Sequence, residues 1–335
     1  MHPPTLLHFF ETQQHGVDHS QHLLSVIGDI AQACKLVARE VSHGALLGNM
    51  GNVGHENIQG EQQKTLDVIS NDIFIKMAED NPYIAGIASE EMEHTLEFSA
   101  KAGGFLLVFD PLDGSSNVNL NLSVGSIFSV LPGPDSEGPL TEQDFLQLGT
   151  QQVCAGYALY GTSTMLVLTT GQGVNGFTLD PDSGEFMLTH PAMRIAPEAQ
   201  EFAINMSNQR FWQPPVQRYI DECLAGTQGA RGKDFNMRWV ASMVAEVHRL
   251  LIRGGVFLYP LDSRTKGKGG RLRLLYEASP MGWLIEQAGG LATTGHKRLL
   301  EIEPTALHQR VPVILGAQEE VELLLSYHSL KDPTA

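Results

Sequence analysis

Leu23, Ile27, Ile30, Cys34, Val37 and Val41 alternate spacings of four and three, which gathers them on one stripe of an amphipathic helix with Gly44 as its stop. The Gly- and Asn-rich stretch 48–60 reads as loop, 67–79 as a second helix and 86–89 as a short strand. Every residue of 105–109 is apolar, the pattern of a strand buried on both faces. Strands are predicted over 122–131, 152–160 and 163–170, then a hairpin over 173–190 turning at Asp180-Pro-Asp-Ser-Gly184. Beyond residue 195 the elements alternate. Strands over 202–206, 256–259, 272–275 and 312–315 are interleaved with helices over 215–225, 238–253, 280–288 and 318–327. The 280–288 helix has Ser279 as its expected N-cap, Pro280 at its first position and Gly289 as its stop. The reading is an α/β chain, an α+β layered sandwich of alternating helix and sheet layers. It divides into a helix and sheet domain, 1–195, and an α/β domain, 196–335, closely packed and without a flexible linker.

Composition narrows the partners. With 335 residues and 42% hydrophobic content the chain can bury a large core. Its 22 basic and 38 acidic residues leave a net charge of −16, which disfavours nucleic acid and anionic lipid. An anionic substrate must then meet local Arg or Lys, or a bound metal. Cys34, Cys154 and Cys223 lie far apart without C-x-x-C spacing, so neither a disulfide framework nor a zinc site is indicated. Residues 1–10 lack a basic start and a long apolar run, and no run approaches the roughly 18 residues that span a bilayer. These features predict a soluble, cytoplasmic protein.

The chemistry concentrates in Phe109-Asp-Pro-Leu-Asp-Gly-Ser-Ser-Asn117. A buried strand is expected to end at Asp110, with Pro111 stiffening a turn that returns Asp113 beside it and leaves the Leu112 carbonyl between the two carboxylates. Such an all-oxygen set suits Mg²⁺ or Mn²⁺ rather than a thiophilic metal. Gly114, Ser115 and Ser116 then offer N–H and hydroxyl groups to a phosphate. Alone, the string could be an ordinary Asx-rich turn. Other acids are equally bland singly: Glu90 and Glu91 as solvated surface, Asp67 as favourable charge at a helix start, Glu277 as a surface acid in a strand-to-helix loop. Their joint occurrence with the turn supports a multi-metal carboxylate site.

At Leu66 to Asp72, Ser89 to Glu91, Phe109 to Asn117, Val240 to Arg249 and Leu272 to Pro280, the chain resembles class I fructose-1,6-bisphosphatase, of the lithium-sensitive sugar and inositol phosphatase superfamily. The resemblance runs from Leu23 to about Leu325. It implies two or three Mg²⁺ ions, with Mn²⁺ possible, held by Glu90, Asp110, the Leu112 carbonyl, Asp113 and Glu277. It implies Glu91 and Asp67 at the water nucleophile, and Glu61, where the family usually has Asp, on a loop that closes over the site. The 1-phosphate would rest on Gly114, Ser115, Ser116 and Arg273, and the sugar with its 6-phosphate on Asn205, Arg238, Tyr259 and Arg271. Arg238 would reach the neighbouring subunit's site in a homo-oligomer, a tetramer by resemblance.

The same comparison of residues exposes departures. Asn208 and Trp239 stand where Tyr is usual and Arg271 where Lys is usual. Val17, Asp18, His19, Ser20 and Gln21, then Gly104 and Phe105, replace the residues of the family's inhibitory AMP site, so its phosphate-facing cation is gone and Asp18 adds the wrong sign. The expected activity is hydrolysis of fructose 1,6-bisphosphate in gluconeogenesis. Sedoheptulose-1,7-bisphosphate or an inositol phosphate is an alternative substrate, and a non-catalytic sugar-phosphate-binding regulator an alternative role.

Overall fold

The computed structural model describes residues 3–13, 19–47, 52–56, 62–98, 104–135 and 138–329. Its frame is an eight-stranded sheet running in space from Phe186–Met193 through Val174–Leu179, Thr164–Thr169, Cys154–Tyr160, Val124–Pro132, Phe105–Asp113 and Ile84–Ser89 to Leu96–Glu97. Neighbours in it are antiparallel except Ile84–Ser89 beside Phe105–Asp113, which run parallel. A second sheet of five strands orders Asn236–Met237, Glu201–Ala203, Val256–Tyr259, Val313–Gly316 and Leu291–Thr293.

Side-chain alternation along the strands stacks these sheets with helices into α, β, α, β, α layers. Phe128 joins the core that takes in Ile27, Ile30, Cys34 and Val37 of the His19–His43 helix and Phe74 of the Thr65–Asp80 helix. Ile127, the next residue along, faces a separate core shared with Val247 of the Met243–Arg253 helix, Leu284 of the Ser279–Gln287 helix and Phe257 of the second sheet. Val256 and Leu258 turn to a third core with Ile220 of the Pro214–Leu224 helix and Leu324 of the Gln318–Ser329 helix. The predicted helical stripe is buried from Leu23 to Val37, with Val41 half-buried, and Gly44 turns out of the helix at φ 46°.

Four expectations change. The 48–60 stretch contains a strand, Asn52–Glu56, paired with Gln62–Lys64. The strand expected to end at Asp110 continues to Asp113. The helix expected from Arg238 starts at Met243, capped by Ser242, and Arg238 lies in extended chain whose N–H donates to the Phe202 carbonyl at 2.9 Å. Glu277 belongs to no loop: Leu274–Ala278 forms a π-helical turn running directly into Ser279–Gln287, so Ser279 is already helical at φ −66°, ψ −51° and caps nothing.

Candidate active site

The site lies beyond the carboxyl ends of the two parallel strands, the place where such strands leave a crevice between diverging connections. Ser89 ends one strand, and Glu90 and Glu91 follow it. Asp110 and Asp113 end the other. Residues three apart on a regular strand face opposite sides of the sheet. Here Asp110 pairs with Ile127 while Asp113 pairs with Gly125, so three steps on one strand match two on the other. The extra residue is a bulge that turns both carboxylates to one side, and Ser126 closes it by donating to the Pro111 carbonyl at 2.7 Å.

Two glycines let the next layer close on this bulge. Gly114 adopts φ +77°, and a Cβ there would fall 2.7 Å from the Ser242 Cβ. A Cβ on Gly125 would collide with the Ala158 carbonyl oxygen and with Val244. The amino end of the Met243–Arg253 helix therefore reaches Asp113, whose Oδ2 accepts from the Ser242 hydroxyl at 2.7 Å and the Val244 N–H at 3.0 Å. Phe74 stacks on Phe109 at 4.9 Å, docking the Thr65–Asp80 helix beside the same strand. Asp67, in that helix's first turn, accepts from the Lys64 N–H at 2.7 Å through Oδ2. Its Oδ1 is buried with no hydrogen-bond partner among the described residues. The π turn brings Glu277 back to accept from the Arg273 N–H at 2.6 Å, and the Arg273 guanidinium pairs with Glu90 and, at 3.9 Å, with Glu277.

Carboxylate oxygens of Asp110, Asp113 and Glu277 converge within 4.8 Å of one another. Around the cavity, of about 420 Å³, the six carboxylates of Asp67, Glu90, Glu91, Asp110, Asp113 and Glu277 face, among the described residues, three cations, Lys64, Arg271 and Arg273. Burial is the first cause of raised carboxylates here: with added repulsion from Glu90, Asp113 and Glu277 it pushes Asp110 well above the ordinary range, it raises Asp113 too, and it lifts Glu277 to about 7 and Asp67 to about 6. A hard divalent cation would offset this repulsion, and the all-oxygen donor set with one orphaned carboxylate oxygen fits one.

Glu90, Glu91, Asp67, Asp110, Leu112, Asp113, Gly114, Ser115, Ser116, Arg271, Arg273 and Glu277 all line this one cavity. Glu61 lies outside the described residues. Asn205, Arg238 and Tyr259 stand apart from the cavity. Tyr259 has the Arg271 guanidinium 6.0 Å from its ring and meets Trp239 edge-on at 5.7 Å, so Arg271 joins the two groups. Asn205 caps the Met206–Phe211 turn, accepting from the Ser207 hydroxyl at 2.6 Å. Arg238 is half exposed, its Nε 3.9 Å from Glu201. Sequence reasoning missed Lys64 and Ser242. A serine four residues into a supposed helix is itself an N-cap signal.

Residues 4–191 match the family described as fructose-1-6-bisphosphatase, N-terminal domain, and residues 195–329 its C-terminal domain. The chain is 69% identical over 325 residues to a protein of Methylobacillus flagellatus named fructose-1,6-bisphosphatase class 1, covering 97% of each. A protein of the same name from Hydrogenophilus thermoluteolus is 56% identical, over 100% of this chain and 94% of that one. The crystal structure of Leishmania major fructose-1,6-bisphosphatase in holo form superposes with a TM-score of 0.91 at 36% identity, covering 98% of this chain and 99% of that one.

Proposed function

The chain belongs to the fructose-1,6-bisphosphatase family and is a phosphatase of that activity; from this premise we propose that it removes the 1-phosphate of fructose 1,6-bisphosphate with Mg²⁺ held by Glu90, Asp110, the Leu112 carbonyl, Asp113 and Glu277. The observation that carries the reading is the convergence of Asp110, Asp113 and Glu277 within 4.8 Å in a cavity that Ser115 and Ser116 also line. Bound Mg²⁺ would supply Lewis-acid stabilisation of phosphoryl charge and make water more acidic. Glu91 and the orphaned Oδ1 of Asp67 take the proton of the attacking water, for which an acid near 6 is well matched to neutral pH. Ser115, Ser116, Gly114 and Arg273 hold the phosphoryl oxygens, an electrostatic task that needs no covalent phosphoenzyme. Arg271, Tyr259, Asn205 and Arg238 hold the sugar and its 6-phosphate, Arg271 through its planar fork.

The domain boundary near residue 195, a cytoplasmic location, gluconeogenic use and a homotetramer belong to the same proposal. The two family matches meet between 191 and 195, and no helix among the described residues is long and apolar enough to cross a membrane. Phosphorus NMR of a reaction with fructose 1,6-bisphosphate tests the chemistry: the 1-phosphate resonance should give way to inorganic phosphate while the 6-phosphate persists. Initial loss of the 6-phosphate, or faster turnover of sedoheptulose 1,7-bisphosphate or inositol monophosphate in parallel tubes, would replace this reading.

A further inference from the structure

Residues 262–273 are a cationic stretch in an acidic chain, with Arg264, Lys266, Lys268, Arg271 and Arg273 against Asp262. The connection they form joins the Val256–Tyr259 strand to the Leu272–Arg273 strand, so its two ends adjoin Tyr259 and Arg271, residues of the proposed sugar-phosphate pocket. Its near end is stapled to the Met206–Phe211 turn that Asn205 caps. The Ser263 N–H donates to the Phe211 carbonyl at 3.0 Å, and Trp212 bridges to Asp262. At the staple two guanidiniums share one ring, Arg264 at 4.2 Å and Arg210 at 4.6 Å from the Phe211 centroid. Both arginines are exposed.

We propose that Arg264 and Arg210 form an outer anion subsite for the distal phosphate of the sugar bisphosphate, which Arg271 receives on its inner side. The inference rests on the reading of the chain as a sugar-bisphosphate phosphatase and adds two residues to it. Stacking on Phe211 fixes the two planar forks and leaves their edges for oxygen acceptors. The turn beneath is rigid, because the Asp262 carboxylate accepts from the Arg264 and Thr265 N–H groups at 2.9 Å each. Asp262 also takes one terminal nitrogen of Arg264 at 3.3 Å, and the Arg210 side chain reaches the Ser207 carbonyl at 3.3 Å. A guanidinium has five donors, so each retains several for an incoming phosphate. Two exposed cations on one ring raise the local positive potential, which favours a dianion at their outer edges. Proximity to the inner group is consistent: burial raises the Tyr259 pKa, and Arg271 and Arg264 both oppose the rise.

The distal phosphate is not transferred, so this contact is made alike in ground and transition states and belongs in KM. In Arg264→Gln and Arg210→Gln, kcat/KM for fructose 1,6-bisphosphate should fall about tenfold or more through KM, the usual scale of a lost charged hydrogen bond. For fructose 1-phosphate, which lacks the distal group, each variant should stay within about twofold of wild type. Arg264→Lys should recover part of the loss. Calorimetric binding of fructose 6-phosphate should weaken in the same variants, a readout independent of turnover. Equal losses with both sugar esters, or unchanged KM and unchanged fructose 6-phosphate binding, would overturn the subsite while leaving the phosphatase reading intact. A wild-type protein inactive on fructose 1,6-bisphosphate would overturn both.

Discussion

Asp113 has one oxygen committed before any ligand arrives, since its Oδ2 takes hydrogen bonds from Ser242 and Val244. An amide oxygen can accept both, so Asp113→Asn should fold with an unchanged circular dichroism spectrum. It removes charge from the cluster proposed to hold Mg²⁺, and turnover should drop by at least about 100-fold. Near-normal turnover in saturating Mg²⁺ would remove Asp113 from the metal site. At this scale the sequence was highly legible. Asp110, Asp113, Ser115 and Ser116 sit in one short string, and Glu90, Asp67 and Glu277 gained meaning only beside it. Ser242 escaped because the helix was read back to Arg238, through residues that lie outside it in the fold, with Ala241 at φ 60°, which hid the cap that holds Asp113.

Elements were placed better than their junctions. Strand 105–109 and helix 67–79 were visible as an apolar run and a helical pattern, yet the bulge and the π turn that aim Asp110, Asp113 and Glu277 were not. A bulge is set by pairing with another strand, and the π turn by packing against the sheet, neither of which leaves a local signal. The cap of the Met243–Arg253 helix links these levels. Ser242→Ala should cost about 1 kcal/mol of stability as a lost N-cap. It should also lower turnover by about tenfold, the scale for losing a hydrogen bond to a metal ligand, with Thr at this position restoring both. A melting curve and a Mg²⁺ activation curve read the two effects separately; lost stability with unchanged Mg²⁺ response would reduce Ser242 to a cap alone.

For the whole molecule, the buried carboxylates tie stability to pH. Because folded Asp67 and Glu277 titrate near 6 and 7, the native state holds protons that the unfolded chain has released. Their stabilising share is full below the ordinary carboxylate range and is lost as pH rises through those values. In chelator, Tm should therefore be lower near pH 8 than near pH 6 by a few degrees. Mg²⁺ should close the gap, and a Tm that rises with pH in chelator would contradict the account. Assembly is tested through Arg238, whose side chain is half exposed and 3.9 Å from its nearest acid. If it serves a neighbour's site, mixing Arg238→Ala with Asp113→Asn chains rebuilds one intact site per hybrid pair. Low-KM activity absent from both parents should appear, and mere summation of parental rates would place Arg238 within its own subunit's site or outside any site. The central claim, that six carboxylates around one cavity make a divalent-cation phosphatase centre, is tested most directly by phosphate release from fructose 1,6-bisphosphate as Mg²⁺ is titrated against EDTA. The account predicts release that rises from zero with free Mg²⁺ and returns to zero with excess EDTA, whereas release undiminished by EDTA, or none at any Mg²⁺ concentration, would contradict it.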